Sequence, residues 1–286
     1  MKIGNFSDGQ AAFIGAVVEQ RVLNLTPSQP DPFLLTEILL AGHFSEKLFQ
    51  SLFDKVKERE ELWYDVRPLD FFPLFRPGKI VCLGLNYAEH AKEGGRNVPE
   101  EPIFFEKATS AVIAHNEPVI YPEGLGRIDP EPELAVVIGR RATRVPEDDA
   151  SQCIAGYTIL NDVTARDMQA KDMQNRQPWY RSKSIDTFCP IGPWIVTADE
   201  LDPLAPLRIE LRVNGEKRVE GTTADLIFKI PELISRISSL IALNPGDVIS
   251  TGTPAGIAPV YPNDVMEIEI ESIGVLRNPV RTPRRP

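Results

Sequence analysis

From Lys79 onward the chain is a series of short apolar runs, each closed by glycine, proline or a polar cluster. "KIVCLGLNY", "ELAVVIG", "AGYTILNDVTA" and "GPWIVT" are rich in β-branched residues and predict strands. "LRIELRVNGEKRVEG" alternates on both sides of Asn214-Gly215, a pair suited to a two-residue hairpin turn. In "DVMEIEIESIGVLRNPV" a period of two puts Met266, Ile268 and Ile270 on one face and Glu267, Glu269 and Glu271 on the other. That predicts a half-exposed strand whose glutamates form a solvated face. One helix interrupts the strands, in "IPELISRISSLIAL": Leu233, Ile234, Ile237, Leu240 and Ile241 share a stripe, and Pro231 suits a first helical position.

Residues 1–70 read as a small unit of their own. "AAFIGAVVEQRVLNLT" predicts two short strands, and "DPFLLTEILLAGHFSEKLFQSLFDKVKERE" predicts helix. "RPLDFFPLFRPGK" then reads as a linker held by its phenylalanines. The expectation is an α+β chain with an N-terminal domain over 1–70 and a larger domain over 71–286. The 26 prolines, spread throughout, argue against a helical bundle.

Composition narrows the partners. The 31 basic and 41 acidic residues give a net charge of −10, with no basic stripe, which argues against nucleic acid and anionic membrane. The opening "MKIGNFSDGQ" lacks the apolar core of a signal peptide, and no run of roughly 18 apolar residues exists. Cys82, Cys153 and Cys189 lie among apolar neighbours without metal-like spacing, as buried thiols of a cytoplasmic protein do.

The candidate chemistry centres on "DPEPELAVVIGRRA", where Glu131 and Glu133 precede an aliphatic run. Residues two apart in a strand point the same way, with Cα atoms roughly 6.5–7 Å apart. The two carboxylates therefore project from one face, and Pro132 between them marks an edge or a bulge. Asp162, ending "AGYTILND", is a third acid. Together they form either an all-oxygen site for Mg²⁺, Mn²⁺ or Ca²⁺ or three solvent-facing acids at strand ends. His90 and Glu93 in "EHAKE" are spaced for contact on a helix, as an oriented base or as a plain surface pair. His43 reads as a surface residue, and His115 has no obvious acidic partner.

The ordered motifs "KIVCLGLNYAEHAKE", "PIFFEKATSAV", "EPELAVVIG", "GYTILNDVTARDMQ", "RSKSIDTFCPIGPWIVT", "LRVNGEKR" and "PGDVISTGTPAGI", between Lys79 and Val280, resemble the fumarylacetoacetate hydrolase family. The resemblance implies a mixed β-roll catalytic domain, usually a homodimer, that binds Mg²⁺ or Mn²⁺ through Glu131, Glu133 and Asp162. It implies that His90 and Glu93 activate water and that Lys183 stabilises negative charge on a substrate oxygen. Lys107, Arg166, Gln169 and Thr253 become candidate substrate contacts. The polar segment 89–101, with two adjacent glycines, has the make-up of a mobile lid. Leu85 stands where some members carry arginine, which weakens the case for a second carboxylate contact and for oxaloacetate.

The function so implied is metal-assisted hydrolysis of a C–C bond in a 2,4-dioxo acid, either an acylpyruvate or a 2,4-diketo-3-deoxy sugar acid, releasing pyruvate. The alternatives are an oxaloacetate decarboxylase or an unsaturated-dicarboxylate isomerase using the same chemistry, and a non-catalytic metal- or ligand-binding protein.

Overall fold

The computed structural model describes residues 1–283 apart from Pro30, Pro32, Gly94 and Arg96. Its main feature is a 12-stranded mixed sheet. At the centre the fully buried strand Pro132–Ile138 pairs antiparallel with Ile154–Asn161 on one side and Val248–Ser250 on the other. A strand covered on both faces needs a continuous apolar run, which is what "LAVVI" supplies. Beyond Val248–Ser250 the sheet continues with Ile80–Gly84, in parallel, and Ile103–Lys107. Beyond Ile154–Asn161 it continues with Cys189–Thr197 and then Lys2–Ser7, so the N-terminal strands extend the same sheet.

A second, five-stranded sheet contains the hairpin Arg208–Val213 and Glu216–Thr222 and the strands Val265–Ile270, Gly274–Arg281 and Val119–Ile120. Asn214 and Gly215 both take positive φ, as the hairpin turn requires. Met266, Ile268 and Ile270 are buried. The opposite face is ion-paired as well as solvated, because Glu269 accepts from Arg208 at 3.0 Å and Arg212 at 3.3 Å.

Two helical expectations are modified. The N-terminal helix is broken into Leu34–Leu40 and Glu46–Val56. Gly42 adopts a left-handed φ of 68° after the first helix, and the Ser45 hydroxyl caps the second by accepting from Leu48 N–H. The later helix, Ile230–Leu240, buries Leu233, Ile234 and Ile237 but leaves Leu240 and Ile241 exposed. Ile241 is already extended there, so the apolar stripe outruns the helix. No helix among the described residues is long and apolar enough to cross a membrane.

Gly156 lies where the Ile154–Asn161 strand passes closest to its neighbour. An added Cβ would sit 2.2 Å from the Val196 carbonyl oxygen, a backbone atom that cannot swing away. Gly156→Ala is expected to destabilise the chain by about 2–3 kcal/mol, read as a lower urea midpoint with an unchanged slope.

Candidate metal centre and substrate cleft

The register of the two central strands builds the site. Pro132 pairs with Asn161 and Glu133 with Leu160, which sets Asp162 beside Glu131 where the strands end. The Asp162 N–H donates to the Glu131 carbonyl at 2.9 Å, and Glu131 N–H donates to Asn161 Oδ1 at 3.0 Å. Pro132 is thus the first residue of a central strand rather than an edge or bulge residue, a position where its missing N–H costs no ladder bond. The result is a cluster of three buried carboxylates, Glu131, Glu133 and Asp162, with one oxygen from each within 4.8 Å of the others.

Cations surround two of the three. Lys183, on the short helix Tyr180–Lys183, donates to Glu131 Oε2 at 2.6 Å and to Asp162 Oδ2 at 2.5 Å. Lys107, ending the strand Ile103–Lys107, donates to Asp162 Oδ1 at 2.6 Å, to the Val163 carbonyl at 3.2 Å and to the Lys183 carbonyl. Arg166 begins the helix Arg166–Gln174 and pairs with Glu131, with Asp129 at 2.7 Å and with Gln169 at 2.6 Å. Glu133 differs. Its contacts are neutral donors, the Ser250 hydroxyl at 2.6 Å and the Gly252 N–H at 2.9 Å.

The proton affinities follow from this layout. Burial pushes the Glu131 carboxyl up, but Lys183, Arg166 and His90 outweigh it and hold the group well below the usual range. Burial, then the negative charge of Asp162 and Glu131, pushes Glu133 up to about 8. Burial lowers Lys183, yet Asp162 and Glu131 raise it further, so it stays charged. The cluster is short of positive charge at Glu133. A divalent cation with oxygen preference fits the donor set, since every available ligand is a carboxylate.

Above the carboxylates lies a cleft of about 360 Å³, walled partly by Leu85, Phe105, Met173, Trp179 and Ile257. His90, Glu93, Arg166, Gln169, Lys183 and Thr253 all line it. Lys107 does not, being fully buried beneath Asp162 with its ammonium engaged there. His90 and Glu93 lie on the helix Ala88–Glu93, with Nδ1 and the carboxylate 3.6 Å apart, beyond hydrogen-bond range. Glu93 instead accepts from the Gly256 N–H at 3.1 Å, which ties this helix to the 252–257 loop. His90 Nδ1 and Thr253 Oγ1 are buried without a hydrogen-bond partner among the described residues; the Thr253 hydroxyl is available to a polar ligand, and Nδ1 faces Glu93. Of the expected lid 89–101, Gly94 and Arg96 lie outside the described residues.

Several residues here gave no signal in the sequence. Ser250, which holds Glu133, lies 117 positions away from it, with only an ordinary strand between glycines to mark it. Asp129 precedes the E-x-E pair and supports Arg166, and Arg127 pairs with Asp129 from two residues earlier. His115, expected to lack an acidic partner, accepts from the Arg277 N–H at 3.1 Å, and burial followed by the Arg277 charge pushes it down to about 4.

Comparison with known proteins shows the family of the chain. The family model described as fumarylacetoacetate (FAA) hydrolase C-terminal matches residues 79–281. An uncharacterized protein of Pyrococcus abyssi is 52% identical over 205 residues, covering 72% of this chain and 91% of that one. A mitochondrial oxaloacetate tautomerase of Xenopus laevis is 41% identical over 215 residues, covering 73% and 67%. Maleylpyruvate hydrolase from Sphingobium, solved with manganese(II) and pyruvate, superposes with a TM-score of 0.80 at 28% identity, covering 99% of this chain and 100% of that one.

Calorimetry with Mn²⁺ tests the centre. Glu133→Gln is expected to weaken binding by more than about a hundredfold, and Ser250→Ala, which only frees the ligand's orientation, by about 10–100-fold. Equal affinity in all three proteins would place the ion elsewhere.

Proposed function

Because the chain belongs to the fumarylacetoacetate hydrolase family, whose members act on keto acids, we propose that it is a divalent-metal-dependent hydrolase of 2,4-dioxo acids. It cleaves the C3–C4 bond of an acylpyruvate or a 2,4-diketo-3-deoxy sugar acid and releases pyruvate. The observation that carries this reading is the buried carboxylate cluster with Lys183 beside it and His90 on the same cleft. Glu131, Glu133 and Asp162 would hold magnesium or manganese, which would supply a Lewis acid for negative charge arising on the substrate's oxygens.

The chain's own residues do the rest. His90 takes a proton from the water that attacks the 4-oxo carbon. Glu93 steadies the resulting imidazolium, closing from 3.6 Å as the charge forms. When the C3–C4 bond breaks, its electron pair passes into the three-carbon fragment, and the Lys183 ammonium stabilises the oxygen that carries the charge. The His90 imidazolium returns its proton, which ends on C3 to give pyruvate, while the acyl group keeps the water's hydroxyl and leaves as a carboxylic acid. Arg166 and Gln169 fix the wall along which the substrate lies, and the Thr253 hydroxyl donates to its carboxylate. Lys107 holds Asp162 in place.

One observation favours a second reading, tautomerisation of oxaloacetate: the named relative at 41% identity carries that activity. It needs proton transfer at C3 but no attacking water, so the two are separable.

With Mn²⁺ present, pyruvate release from acetylpyruvate is expected, with His90→Ala lowering kcat about a hundred- to ten-thousandfold and EDTA abolishing turnover. Hydrolysis that survives both EDTA and Glu133→Gln would sink the proposal. Oxaloacetate tautomerisation without any release of pyruvate from acetylpyruvate would select the second reading.

A further inference from the structure

Two guanidinium groups share one buried carboxylate beside the metal ligands. Asp129 accepts from Arg127 Nε through Oδ1 and from Arg166 Nε through Oδ2, each at 2.7 Å. Arg166 then uses its other two nitrogens on Glu131 and Gln169. Arg127 does not: its terminal nitrogens have no partner among the described residues, and its side chain lines the cleft 44% exposed.

The root of Arg127 is fixed. Its N–H donates to Asp167 Oδ2 at 3.0 Å and its carbonyl accepts from Arg166 N–H at 2.8 Å. The next residue, Ile128, pairs with Ala165. A guanidinium held at Nε from behind and open along its terminal edge is a preformed fork for a carboxylate. Holding the fork in place before binding removes much of the ordering cost of capturing an anion. The other cations facing the cleft are already engaged, Lys183 by Glu131 and Asp162, and Arg166 by three acceptors.

We propose that Arg127 determines specificity by binding an anionic group at the far end of the substrate, so that the preferred 2-oxo acid carries a second carboxylate. This rests on the reading of the centre as one that holds a 2-oxo acid at its first carboxylate. It also changes what Leu85 implied: that position offers no cation, and the one available comes from the segment before the E-x-E pair instead.

The test uses the full chain loaded with Mn²⁺ and two probes of equal length, 2-oxoglutarate and 2-oxopentanoate, which differ in one terminal carboxylate. Neither has a 4-oxo group, so the proposed hydrolysis leaves both intact. Calorimetry is expected to show 2-oxoglutarate bound about tenfold or more tightly than 2-oxopentanoate. Arg127→Gln should remove that preference while leaving the affinity for 2-oxopentanoate and the melting temperature unchanged. A wild-type protein without the preference, or a preference that persists in Arg127→Gln, overturns the proposal. A preference with no hydrolysis of any 2,4-dioxo acid would count against the hydrolase reading alone, and hydrolysis with no preference against Arg127 alone.

Discussion

Three carboxylates lie buried within a few ångströms of one another, and most of the surrounding architecture answers the charge this creates. Each isolated buried ion costs several kcal/mol unless it is paired and hydrogen-bonded. Lys107 and Lys183 arrive from different segments to meet Asp162, and Arg166 arrives from a helix start to meet Glu131. Glu133 is left with a hydroxyl and a backbone N–H, which satisfy its geometry but not its charge. That shortfall, rather than the presence of acids as such, is what makes the cluster able to hold a cation.

The sheet serves this requirement directly. A fully buried central strand delivers Glu133 from within the ladder and Glu131 from just before it, and the adjacent antiparallel strand ends at Asp162. The Val248–Ser250 strand, on the other side, brings Ser250 to Glu133. Strand ends hold the three carboxylates and Ser250, whereas part of the cleft wall lies on a short helix and a loop joined by Glu93 and Gly256. Positioning and access are thereby assigned to different kinds of structure.

Much of this was legible in the sequence where a period or a boundary carried it. The period of two placed Glu131 and Glu133 together, the end of an apolar run located Asp162, and alternation fixed the buried face of Met266, Ile268 and Ile270. Resemblance to a family, not spacing, brought in Lys183, Lys107 and Thr253. What stayed hidden has a common cause: a side chain recruited across the fold leaves no local pattern. Ser250 is one such residue, and Arg127 is a lone arginine in a loop. Apolar periodicity also overran the helix ends, where Gly42 and Ser45 broke one helix and the extended Ile241 ended another before its stripe did.

The central claim is that the carboxylate cluster holds a divalent cation. The most direct test is anomalous diffraction from crystals grown with Mn²⁺. The account predicts one strong peak roughly 2.1 Å from an oxygen of each of Glu131, Glu133 and Asp162. A fully ordered cluster with no peak among those oxygens, or manganese bound only elsewhere, would contradict it.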